Sequence, residues 1–144
     1  MHFNMHRSEG GVSVRGRFLG IAVLVVVQFI VGIIHLLFGF ALLSGSFSVA
    51  SYSIAPMVYT FYTLVYGWLT LFFTYLIWVG KRSGWIGTVA VSLFVILVDV
   101  LAVLDLSNVL GIPSPKVAAI GEVPFGILVL VYLLQYHVRS KYNI

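Results

Sequence analysis

Three side chains in this sequence have types and positions suited to buried proton chemistry: Asp99, His35 and Tyr66. Each sits inside a long apolar run, where ionisable groups are rare. Even low estimates put the cost of an aspartate at the centre of a membrane helix at about 3 kcal/mol, so Asp99 must be protonated, paired or reached by water. A carboxylate beside an imidazole titrates over an accessible pH range, and intramembrane ionisable groups often mark ion paths. The competing explanation is a hydrogen-bonded contact that locks helix register with no traffic through it. That explanation takes precedence because it asks nothing further of the chain.

Whether the three meet depends on the elements that carry them. The chain has 144 residues, 61% of them hydrophobic and 8% charged, against roughly 25% charged in an ordinary soluble domain. The expected fold is all-α: a polytopic membrane protein with a bundle of four transmembrane helices in one domain. The apolar runs place the spans at about 18–44, 57–79, 85–106 and 122–138, after a basic tail at 1–17. Each is long enough, at about 1.5 Å per residue, to match a hydrocarbon layer of roughly 30 Å. The first run greatly exceeds the core of a signal peptide, and no small-residue cleavage site follows it.

Charge sets the orientation. Seven of the eight Lys and Arg residues fall in the tail, in the turn Trp78-Val79-Gly80-Lys81-Arg82-Ser83-Gly84-Trp85 and at the C-terminal end, while only Lys116 lies in a segment on the other side. Short Lys- and Arg-rich segments stay cytoplasmic and Trp settles at the headgroup level, so both termini are expected in the cytoplasm, with the protein in the cell membrane. The same distribution explains the net charge of +4 without a nucleic-acid partner. There is no cysteine, which removes disulfides, thiolate metal sites and thiol oxidoreductases.

Helical spacing then sorts the faces. Gln28, Gly32, His35 and Gly39 share one face of the first span, and Thr60, Thr63, Gly67, Thr70 and Thr74 repeat by three and four along the second. Small and polar residues in such stripes mark helix-helix packing, and threonines can also bond their own backbone. Tyr59, Tyr62 and Tyr66 form an adjacent stripe expected to be an interfacial belt, and Trp68 is expected to pack between helices. On the third span Thr88, Ser92, Val95, Asp99 and Ala102 share a face. Asp105 is expected to meet solvent or Lys116. Residues 45–56 and 107–120 read as outer loops. Glu122 and Pro124 are expected in the first turn of the fourth span, where an acid and a missing N–H are both tolerated. Gln28 and His35 precede Ser92 and Asp99 by 64 positions, a faint internal repeat. Counted from the inner end, His35 lies about 25 Å up and Asp99 and Tyr66 about 20 Å up, so the three can meet in the outer half.

No cofactor and no metal site is expected. His2 and His6 lie on a polar end, and His35 and His137 are about 20 Å apart in depth, too far to clamp a haem within one chain. No phosphate loop, zinc-helix motif or nucleophile elbow is present, so no catalytic residue is assigned and an enzyme is not expected. The turn WVGKRSGWIG and the closing YLLQYHVRSKY resemble those of a loose group of small four-span membrane proteins from archaea and bacteria. The resemblance implies a fold and no catalytic residue. The expected role is a non-enzymatic subunit, with the lipid bilayer and either further copies or other membrane subunits as partners. The alternative is a small proton- or cation-coupled transporter or channel that uses Asp99.

Overall fold

The computed structural model describes residues 14–45, 56–104, 106 and 116–144, with side chains from 19, 57 and 118 onward in the longer segments. Among the described residues the chain forms five helices: α1 Val14–Leu43, α2 Pro56–Trp78, α3 Arg82–Val103, α4 Lys116–Leu134 and α5 Tyr136–Lys141. Three stretches, Leu19–Leu43, Met57–Trp78 and Arg82–Val103, are long and apolar enough to cross a membrane, and Ala118–Leu134 is a shorter apolar helix. The chain is a helical, multi-pass membrane protein. The expectations for His2, His6, Asp105 and most of the two outer loops lie outside the described residues.

The helices alternate in direction, as their paired contacts show. Gln28 of α1 meets Thr74 of α2, while farther along α1 a side-chain atom at Gly39 would meet Leu64. Trp85 at the start of α3 bonds to Leu133 near the end of α4, and His35 of α1 reaches Glu122 near the start of α4. α1 packs on α2, α2 on α3, and α3 on α4. Close approach depends on glycine at one crossing in particular: a Cβ on Gly32 would lie 3.3 Å from the Gly67 carbonyl, and one on Gly67 would lie 3.1 Å from that of Gly32. Two backbones in such contact gain packing that larger residues would forbid.

Polarity is inverted relative to a soluble protein. Gln28, Thr60, Thr63, Thr70, Thr74, Thr88, Ser92 and Asp99 are buried, whereas Leu37, Phe61, Leu97 and Leu128 are among many exposed apolar side chains. In lipid an outward Leu needs no burial, and polar groups turn inward where partners can satisfy them. Trp68 departs from expectation: it is 61% exposed and faces outward. It follows Gly67 by one residue, which rotates it about 100° away from the packed stripe.

The fourth apolar run also departs from expectation. Its helix begins at Lys116, so Glu122 and Pro124 lie inside α4, and the run expected at 122–138 is divided at Gln135. Gln135 is extended, with ψ 138°. That turn sends α5 back beneath the other helices, where Val138 and Tyr142 join Ile21, Leu24, Ile77, Val129 and Leu133 in one apolar cluster. The end carrying this cluster and the Lys81-Arg82 turn is termed the basic end below. Two aromatic donors satisfy backbone groups there: the Trp85 indole donates to the Leu133 carbonyl at 2.9 Å and the Tyr142 hydroxyl to the Ile77 carbonyl at 3.1 Å. Carbonyls at helix C-termini lack intrahelical partners, so these bonds fill a standing need. Gly80, at φ +79°, turns the chain between α2 and α3, and Gly84 sits so close that a Cβ would lie 2.5 Å from the backbone of Leu76 and Ile77.

Candidate functional site

The half of the interior away from the basic end gathers the ionisable groups. α1 contributes His35, α2 Tyr62 and Tyr66, α3 Asp99 and α4 Glu122. Asp99 is almost completely buried, at 1% exposed, while the His35 and Glu122 side chains keep 17% and 24% exposure. His35 Nε2 lies 3.4 Å from Glu122 Oε1, a long hydrogen bond. Its other ring nitrogen, Nδ1, lies 2.8 Å from the carbonyl of Val31, one turn back on the same helix. A carbonyl only accepts, so Nδ1 carries a proton and Nε2 is left to exchange one with Glu122.

Tyrosines extend the cluster. The edge of one ring meets the face of the other between His35 and Tyr66, with centroids 4.6 Å apart and planes at 85°. Tyr66 stacks on Tyr62 at 6.4 Å, and Tyr62 on Tyr59 at 6.5 Å. The stripe expected to be an interfacial belt therefore lines the interior instead: Tyr59 is buried, Tyr62 and Tyr66 are half-buried, and Tyr62 faces Phe94 of α3. The stripe lies one residue before Thr60, Thr63 and Gly67, on the side of α2 where Tyr66 meets His35 of α1 and Tyr62 meets Phe94 of α3. Asp99 acts electrostatically on His35, Tyr62 and Tyr66, and so does Glu122. The Tyr62 hydroxyl is buried and has no hydrogen-bond partner among the described residues.

Asp99, His35 and Tyr66 thus occupy one neighbourhood. Gln28 lies closer to the basic end, where Thr74 Oγ1 donates to its Oε1 at 3.3 Å. Thr63 is also buried and donates to the Tyr59 carbonyl at 2.9 Å, the i−4 backbone bond open to threonine. Between these levels lies a cavity of about 20 Å³ bordered by Gln28, Tyr66, Thr70, Thr88, Ser92 and Glu122. Among the described residues no group of three or more His, Asp and Glu side chains is placed to hold a metal ion.

Sequence reasoning missed Glu122 as a partner of His35. An acid in the first turn of a helix has a sufficient reason in the helix dipole alone. The available signal was depth: His35 lies well up the first span and Glu122 near the start of the returning fourth, so both belong at one level. Comparison with protein-family models, curated proteins and solved structures finds no match.

Proposed function

We propose that the chain crosses the cell membrane four times as a four-helix bundle with both termini in the cytoplasm, and that it serves as a non-enzymatic subunit of a homo-oligomer or a larger membrane complex. The observation that carries this reading is the combination of a broad exposed apolar surface with a polar cavity that, among the described residues, measures only about 20 Å³. That volume suits about one water molecule and not a substrate. The exposed faces of α1 to α4 are surfaces for lipid or for another helix. The cation distribution supports the orientation, and so does the resemblance of the basic turn and the C-terminal end to small four-span proteins.

Mild-detergent extraction from native membranes, followed by measurement of the mass and composition of the complex, tests the role. A stoichiometric foreign partner or a homo-oligomer supports it, and a monomer overturns it. Orientation is tested separately, because the chain lacks cysteine and Ser44 and Ser83 are exposed. In intact cells an impermeant maleimide is expected to label the Ser44→Cys variant and spare Ser83→Cys.

A second reading has its own support. The contact of His35 with Glu122, close to buried Asp99, suits a proton- or cation-coupled path. On this reading Asp99→Asn abolishes proton flux in liposomes while assembly survives. Weakened assembly with unchanged flux would make Asp99 structural instead.

A further inference from the structure

Two apolar grooves open on the lipid-facing surface of the packed helices. One lies between α1 and α2 toward the basic end, measures about 410 Å³ and is bordered by Ala22, Val26 and Phe29 of α1 and Leu71, Tyr75 and Trp78 of α2. The other lies between α2 and α3 in the other half and measures about 550 Å³, with Phe61 and Phe94 on its walls. From Ala22 to Phe29 the first groove runs about 10 Å along α1, within the roughly 15 Å of hydrocarbon that one leaflet supplies. That length and those walls suit one lipid acyl chain. Tyr75 and Trp78 are 62% and 59% exposed where the groove nears the basic end, and such amphipathic rings settle among headgroups.

The surroundings of the two grooves differ in charge. Among the described side chains, cations stand only at the end where the first groove opens. The Lys81 N–H bonds to the Leu76 carbonyl at 2.9 Å, which folds the Lys81-Arg82 turn against the end of α2, three residues past Trp78. Tyr142 and Val138 fasten α5 to the same end, and Arg139 is exposed beside them. Arg15 and Arg17 occupy the first turn of α1, ahead of Ala22. Lys81, Arg82 and Arg139 are exposed and meet no acid among the described residues, whose own acids, Asp99 and Glu122, lie in the other half. A second copy inserted in the same direction would bring its own cations to this level, and like charges would face one another. A phosphodiester anion neutralises them instead, and clusters of Lys and Arg at helix ends attract anionic lipid. A zwitterionic headgroup adds an ammonium that the same cations repel.

We propose that the groove between α1 and α2 is a binding site for one anionic phospholipid, with an acyl chain along Val26 and Phe29 and the phosphate at the Lys81-Arg82 turn. The groove supplies the contact with the chain, and the cations supply the preference for the headgroup. This assigns one exposed face to lipid whatever complex the chain joins, and it draws on nothing in the interior cluster.

The test places the full chain in phosphatidylcholine bilayers with a trace of lipid carrying a photoreactive diazirine on one acyl chain. The probe headgroup is either phosphatidylglycerol or phosphatidylcholine, and labelled positions are read by mass spectrometry. The phosphatidylglycerol probe is expected to label Phe29 and Trp78 at least about fivefold more than the other probe. Labelling of Phe61 and Phe94 in the second groove is expected to be equal. Lys81→Gln is expected to lower the preference about fivefold and Lys81→Arg to keep it; Lys81 makes no side-chain capping bond, so neither change removes one. Val26→Phe narrows the groove from an outward position, 57% exposed, and is expected to remove the preference while every cation remains. Equal labelling of Phe29 and Trp78 by the two probes would make the lipid there ordinary solvent and overturn the site. A preference shared by exposed Ile86 and Leu134, which lie at the same end on α3 and α4, would assign it to the diffuse field of the cations and overturn the groove. Protection of Phe29 and Trp78 from both probes, with crosslinks between copies across this face, would give the groove to a second copy instead.

Discussion

The two ends of the packed helices solve the problem of buried polar groups in opposite ways. At the basic end α5 folds beneath the helices, Val138 and Tyr142 fill the apolar cluster, and the Trp85 indole and the Tyr142 hydroxyl each meet a backbone carbonyl, while the Tyr132 hydroxyl beside them has no partner among the described residues. In the other half His35, Tyr62, Tyr66, Asp99 and Glu122 crowd together, and there the Tyr62 hydroxyl, like those of Thr70 and Thr88 between the two levels, finds no partner among the described residues. Unspent hydrogen-bonding capacity in a low-dielectric interior is expensive. Donors that end on backbone carbonyls at one end, and ionisable groups that face one another at the other, separate a structural region from a chemical one.

Substitutions can break that separation, and the largest effect is expected at the basic end. A Cβ on Gly84 would lie 2.5 Å from backbone atoms of Leu76 and Ile77, which cannot move aside as a side chain can. Gly84→Val is expected to destabilise the fold by about 3 kcal/mol or more, read as the midpoint of unfolding in mixed micelles. A variant as stable as the native chain would show that the two helix ends are not held in this contact. Next comes Trp85→Phe, which keeps the ring and strands the Leu133 carbonyl, at about 1–3 kcal/mol. Tyr142→Phe is expected to be milder, at about 1 kcal/mol, because the Ile77 carbonyl also accepts from Gly80 N–H. Equal losses from the two would mean that carbonyl satisfaction does not hold this end together.

This difference between the ends was only half legible in the sequence. The apolar runs, the inward threonine face of α2 and the placement of Asp99, His35 and Tyr66 at one level follow from helical period and rise, which act over a few residues and need no partner. What escaped depends on contacts across the chain. Tyr59, Tyr62 and Tyr66 satisfy the pattern of an interfacial belt equally well, and only the position of α1 and α3 decides that they face inward. Pro124 and the acid before it mimic a helix start, which hid both the true beginning of α4 and the link of Glu122 to His35. The break at Gln135 has no Gly or Pro to announce it. It is a tertiary event, stabilised by what Tyr142 and Val138 reach after the turn.

The basic end also carries a pH dependence that the other comparisons sharpen. Burial first, and then the neighbouring Tyr132, push Tyr142 up to about 12 from the ordinary tyrosine value. A group whose folded value is raised supports the fold fully below its unfolded value, about 10, and that support is lost as pH rises toward the folded value. Protection of residues 136–144 from hydrogen exchange, corrected for the intrinsic rate, should therefore fall between pH 10 and about 12. In Tyr142→Phe this step should be missing. A step of the same size in that variant would assign the transition to another group.

Thr88→Val is the smallest expected change and the most direct test of the contrast. At the basic end, removing a donor strands a carbonyl, because both partners belong to the protein. At Thr88 the hydroxyl has no hydrogen-bond partner among the described residues, so removing it strands no protein group, and valine occupies nearly the same volume. No protein hydrogen bond is lost with it. Stability should change by less than about 1 kcal/mol in either direction, measured under the same conditions as Trp85→Phe. A loss as large as that of Trp85→Phe would mean that Thr88 holds the helices together, and the contrast between donors that end on backbone carbonyls and hydroxyls without a protein partner would fail.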